Sequence, residues 1–90
     1  MKTKLETLRN EIDKIDKEML DLFINRMKCI EQIAMLKQEN NIPIFDSSRE
    51  KLIKSRFTID QEFNAYYQEF IKTILKISKE YQKSLINYKE

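Results

Sequence analysis

Three features of this sequence predict an all-α fold. Its 90 residues contain no glycine and a single proline, a composition that suits helices joined by few tight turns. Apolar side chains recur at Leu5, Leu8, Ile12, Ile15, Met19, Leu22 and, after a gap at Arg26, at Cys29, Ile33 and Leu36. Their alternating steps of three and four keep one stripe on one helix face. A second run, Phe63, Tyr67, Phe70, Ile74, Ile77 and Tyr81, obeys the same rule, with Ile71, Leu75, Ser78, Gln82 and Leu85 on an adjoining face.

The first helix is expected over residues 3–40. Thr3 and Glu6 fit the S/T-x-x-E capping box at its start. Asn40, Asn41 and Pro43 disfavour its continuation, and Pro43 pushes Ile42 into an extended conformation. Pro43, Ile44 and Phe45 then form a short apolar connector, expected to pack down rather than to behave as a flexible linker. Asp46 or Ser47 caps a second helix over 47–58. Ser47 and Glu50 offer a second capping box there, and Leu52, Ile53 and Phe57 form the expected buried side. Thr58 to Gln61 reads as a turn, and a third helix follows over 62–87. The chain, 1–90, reads as a single domain.

The length of the first helix constrains the assembly. Nearly 40 residues make a rod of roughly 55 Å, whereas a compact chain of this size has a radius of gyration of about 12 Å. Such a rod cannot be wrapped by its own chain. Its stripe calls for a second copy, which makes a three-helix protomer in an intertwined helical homodimer the simplest expectation. Cys29, within the stripe, reads as a core thiol rather than a nucleophile.

Composition excludes several function classes. With 17 basic against 15 acidic residues and a net charge of +2, the chain has an ordinary solvated surface and no basic footprint for nucleic acid. It has no histidine and one cysteine, so neither a transition-metal site nor an intrachain disulfide is expected. The charged N-terminus lacks the apolar run of a signal peptide, and no segment could span a bilayer. A cytoplasmic protein is the default expectation.

Polar residues lie on or beside the apolar stripes at Arg9, Arg26, Lys37, Arg49, Ser78 and Gln82, with Asp46 and Glu50 the nearby acids. Singly, each reads as a surface group with its stem laid along the core. Together they describe a groove rich in cations and amides. Arg26 and Lys37 are 11 residues apart, so they share nearly one helix face about 16 Å apart. Such a groove suits a small dicarboxylate, because guanidinium groups grip carboxylates bidentately.

At this point the sequence resembles the all-helical class of chorismate mutases, over essentially its whole length. The resemblance is carried by Leu8-Arg9, the pattern of Ile12, Ile15 and Asp16, NRM around Arg26, the lysine of AMLK at Lys37, PIFDSSRE from Pro43 to Glu50, and the SKEYQ segment holding Ser78 and Gln82. It implies an intertwined homodimer with two equivalent sites that convert chorismate to prephenate by an intramolecular Claisen rearrangement, without a cofactor. By that likeness Arg26 and Arg49 would bind substrate carboxylates with Ser78 assisting, and Lys37 and Gln82 would donate to the breaking ether oxygen. Glu50 and the region of Asp46 would bind the ring hydroxyl. Arg9 would come from the other subunit, and helix geometry agrees: 17 residues separate it from Arg26, roughly 25 Å along one rod.

Two departures stand out. Phe45 occupies a place where many members carry a polar or basic residue, and the turn after the second helix lacks a glycine. Ninety residues leave no room for an appended dehydratase, dehydrogenase or regulatory domain, so a monofunctional enzyme is expected. The rival readings are an isochorismate pyruvate lyase of the same fold and a non-catalytic helical dimer serving as an interaction module. DNA binding is more distant, because the first helix carries acids as freely as bases.

Overall fold

The computed structural model describes residues 3–56, 59 and 61–87. They form three helices, α1 (Lys4–Glu39), α2 (Ser47–Arg56) and α3 (Gln61–Asn87). No strand occurs among the described residues.

Local chemistry sets both ends of α1. At its start the Thr3 hydroxyl accepts from the Glu6 amide at 3.1 Å, while the Glu6 carboxylate accepts from the Thr3 amide at 3.4 Å, which closes the expected capping box. At its end Asn41 adopts φ 55°, the left-handed region. The Ile42 amide then reaches the Lys37 carbonyl at 2.8 Å, and the Asn41 amide reaches Gln38 at 3.4 Å. This is the Schellman termination, with asparagine in the place usually taken by glycine. The Asn40 side-chain amide also donates to the Leu36 carbonyl at 2.8 Å.

The start of α2 resolves the choice between two caps. The Asp46 carboxylate accepts from the Arg49 amide at 2.9 Å, and its carbonyl accepts from Glu50 at 3.0 Å. Asp46 is therefore the cap, and Ser47 is the first helical residue. The Glu50 side chain turns away to another partner, so the Ser47–Glu50 box does not form. The expected end of this helix at 57 and 58, its buried Phe57 and most of the turn at 58–61 lie outside the described residues.

α3 packs against both other helices. The face it buries is Ile71, Leu75, Ser78 and Gln82, the set assigned to the adjoining face. Phe63 and Phe70 of the expected main stripe remain exposed, and Ile74, Ile77 and Tyr81 are half-buried. α1 meets α3 through Ile30 and Ala34. That face is rotated by one residue, about 100°, from the long stripe. Leu5 through Leu22, Ile33 and Leu36 are consequently exposed, Leu22 at 67%, and Cys29 is exposed rather than in the core. In α2 no residue is fully buried; Ile53 is half-buried and Leu52 exposed. In the connector only Ile44 packs down, and Phe45 stays exposed. The chain measures 59 × 28 × 14 Å, with a radius of gyration of 17.2 Å.

Candidate active site

All three helices and the connector meet around a cavity of about 240 Å³. Its walls are apolar side chains, Ile30 and Ile33 from α1, Ile44 from the connector, Ile53 from α2 and Leu75 from α3. Its polar lining is Arg26 and Lys37 from α1, Asp46, Arg49 and Glu50 from the start of α2, and Ser78, Lys79 and Gln82 from α3.

Arg26 is half-buried and donates to the Ser78 hydroxyl. That hydroxyl spends its own proton on the Ile74 carbonyl one turn back, at 2.9 Å, which leaves its lone pairs facing the guanidinium. Burial, reinforced by the nearby Arg49 cation, pulls the Arg26 pKa below its ordinary value. Lys37 donates to the Ile44 carbonyl at 2.8 Å, an acceptor that belongs to the connector between α1 and α2 and has no place in either helix. An ammonium has three protons, so this bond leaves it donors for a ligand.

On the opposite wall the Glu50 carboxylate pairs with Lys79 at 3.0 Å. Lys79 also lies 4.9 Å from the centre of the Phe45 ring, within the range of a cation–π contact. Gln82 is only 5% exposed, and its Oε1 has no hydrogen-bond partner. A buried amide oxygen left alone is costly, and rotating the amide by half a turn places the Nε2 donors there instead. Four cations face two carboxylates across the cavity. The excess of two positive charges matches a dianion.

Of the eight residues expected at the site, the fold gathers Arg26, Lys37, Asp46, Arg49, Glu50, Ser78 and Gln82 around one cavity. Arg9 is not among its lining residues. It is exposed, near the far end of α1, roughly 25 Å up the same rod. Sequence reasoning missed Lys79 and the Ile44 carbonyl. Lys79 was detectable as a cation three residues before Gln82, one helical turn away on the same side; a backbone carbonyl leaves no mark in sequence.

A larger space of about 580 Å³ runs beside this cavity, lined by Met19, Leu20, Leu22, Phe23, Phe70, Ile71 and Ile74, with Asp16 and Arg26 at its edge. It is an apolar groove and offers little polar chemistry. Arg26 lines both spaces, so whatever lies in the groove adjoins the cationic cavity. Among the described residues no cluster of three or more potential metal ligands occurs, and no helix is long and apolar enough to cross a membrane.

Fold and cavity together define an all-α protein whose helices converge on a cationic pocket sized for a small molecule. The chain belongs to the chorismate mutase type II family, whose profile matches residues 8–83. It is 34% identical over 90 residues to a bifunctional chorismate mutase/prephenate dehydratase of Buchnera aphidicola, covering 96% of this chain and 23% of that protein. A chorismate mutase of Methanocaldococcus jannaschii is 40% identical over 53 residues, covering 59% of this chain and 54% of that one. The T-protein of Haemophilus influenzae is 28% identical over 72 residues, covering 80% of this chain and 19% of its own length. The chain thus spans about a fifth of the Buchnera aphidicola and Haemophilus influenzae relatives and about half of the Methanocaldococcus jannaschii one. No solved structure matches.

Proposed function

We propose that this protein is a chorismate mutase acting in aromatic amino acid biosynthesis in the cytoplasm. The observation that carries this reading is the convergence of Arg26, Lys37, Arg49 and Gln82 on one cavity in a chain of this family. The rearrangement of chorismate to prephenate breaks one C–O bond and forms one C–C bond within a single molecule. It needs no general base and no nucleophile. Two contributions are left to a protein: holding the enolpyruvyl arm over the ring, and stabilising the negative charge that gathers on the ether oxygen.

The lining suits both tasks. Arg26 and Arg49 grip the carboxylates, with Ser78 fixing the Arg26 guanidinium. Lys37 and the Gln82 amide donate to the ether oxygen from opposite walls of the cavity. Glu50 accepts from the ring hydroxyl, while Asp46, engaged in capping α2, fixes the position of Arg49 and Glu50. The working unit is an intertwined homodimer. Two features support this: the exposed stripe along α1, and the apolar groove that ends at Arg26. A partner helix seated in that groove brings its Arg9 to the cationic cavity and completes the dianion site.

The test is continuous loss of chorismate absorbance with chromatographic identification of the products. Prephenate should form, and Arg26→Ala and Lys37→Ala should each lower kcat/KM by about a hundredfold or more. A folded protein that leaves chorismate unchanged overturns the reading, and pyruvate released from isochorismate would identify a lyase instead.

A further inference from the structure

One ion pair in the cavity wall has no part in gripping carboxylates or the ether oxygen. Glu50 is 16% exposed at its side chain and Lys79 31%, and they meet at 3.0 Å. The other pair among the described residues, Lys17 with Asp21, lies on the open surface of α1. Lys79 is held from a second side by the Phe45 ring, 4.9 Å from its ammonium. A surface lysine would sweep many rotamers; this one is bracketed between α2 and the connector.

The remaining polar lining consists of donors, apart from Asp46, the Ser78 hydroxyl and the Gln82 Oε1, and the half-turn that presents the Gln82 amide protons takes that oxygen out of the acceptor role. The Asp46 carboxylate already accepts from the Arg49 amide at 2.9 Å, and the Ser78 oxygen already accepts from Arg26. Donors serve carboxylates and an ether oxygen. A hydroxyl differs, because it carries one proton to give and two lone pairs to fill. The Glu50–Lys79 pair offers both an acceptor and a donor at a single point.

We propose that Lys79 is a specificity-determining residue: with Glu50 it forms a two-sided clamp that reads the ring hydroxyl of the substrate. The hydroxyl donates to the Glu50 carboxylate and accepts from the Lys79 ammonium, while Phe45 limits where that ammonium can go. This rests on the mutase reading of the site. The clamp discriminates for the hydroxyl and its position on the ring, and it makes no contribution to the enolpyruvyl carboxylate.

The experiment compares chorismate with its analogue lacking the ring hydroxyl, using the parent protein, Lys79→Met and Lys79→Arg. Lys79→Met should lower kcat/KM for chorismate about tenfold, the scale of one hydrogen bond to a charged group. Its effect on the analogue should stay within about twofold, because the contact is already missing there. Lys79→Arg should restore most of the preference for the hydroxyl. Should Lys79→Met fold poorly by circular dichroism, Lys79→Gln is read in the same way. An equal loss on both compounds shows that Lys79 acts as a general cation for the dianion, and no loss on either shows a surface ion pair; each outcome overturns the clamp while leaving mutase activity in place. Parent protein that converts neither compound removes the mutase reading itself, and the clamp with it.

Discussion

At the scale of single residues, the site is built from groups that the fold leaves incompletely matched. Arg26 is drawn out of water beside Arg49, and both effects lower its pKa. Its described partner is a hydroxyl, which carries no charge to offset the guanidinium. Gln82 is the complementary case, a buried amide with an unpartnered oxygen. An amide does not titrate, and this has a consequence for catalysis. If Gln82 donates to the ether oxygen, turnover by the parent should stay nearly constant from mildly acidic to mildly alkaline pH. Gln82→Glu converts the donor into one that exists only when protonated. Activity of that variant should be present at low pH and fall about tenfold per unit once pH rises above the carboxyl pKa. A pH–rate profile of the two proteins checks this, and a steep fall of the parent above neutrality removes Gln82 from the donor role.

At the scale of elements, α1 carries its own boundaries. The Thr3 box and the Asn41 turn arise from side chains within a few residues of each helix end. Asn41 sits in a conformation that costs most residues about 1–2 kcal/mol and glycine almost nothing. Asn41→Gly should therefore leave stability unchanged or raise it by up to about 0.5 kcal/mol, and Asn41→Val should lower it by about 1–2 kcal/mol. Urea unfolding at fixed protein concentration measures both. Such local rules explain why the three helices and the Thr3 cap were legible in the sequence, and why the second cap was narrowed to Asp46 or Ser47 before the Arg49 amide decided for Asp46. Which face each helix buries was not. Periodicity places Leu22, Cys29 and Ile33 on one stripe, but it cannot say which element covers them; α3 takes the neighbouring face of Ile30 and Ala34 instead. Part of the cavity lining was legible for a related reason. Arg26 interrupts an apolar stripe, and Ser78 and Gln82 lie on a face otherwise made of Ile71 and Leu75, so each breaks a pattern. Lys79 breaks none, because a lysine beside a buried helix face looks like any solvated charge until Glu50 and Phe45 are brought to it.

At the scale of the whole molecule, the chain is a rod with more apolar surface than it covers by itself. Its radius of gyration of 17.2 Å exceeds the roughly 12 Å of a compact chain of equal length. Ile12, Ile15, Met19 and Leu22 are all about half exposed or more, and a groove of about 580 Å³ runs alongside toward Arg26. A second copy lying across this surface would bury the stripe and supply Arg9 to the neighbouring cavity at one stroke. The same arrangement would give each site residues from both chains, which refolding two variants together tests. Arg9→Ala and Arg26→Ala homodimers should each be nearly inactive, since every site lacks one cation. After the two variants are unfolded together and refolded at equal concentrations, half of the dimers should be mixed. Each mixed dimer holds one site with both Arg9 and Arg26 defective and one with both intact. The mixture should therefore recover about a quarter of the parental activity. Mixtures that remain as inactive as their components would place Arg9 outside the partner's site, and activity of the Arg9→Ala homodimer near that of the parent would remove Arg9 from the site altogether.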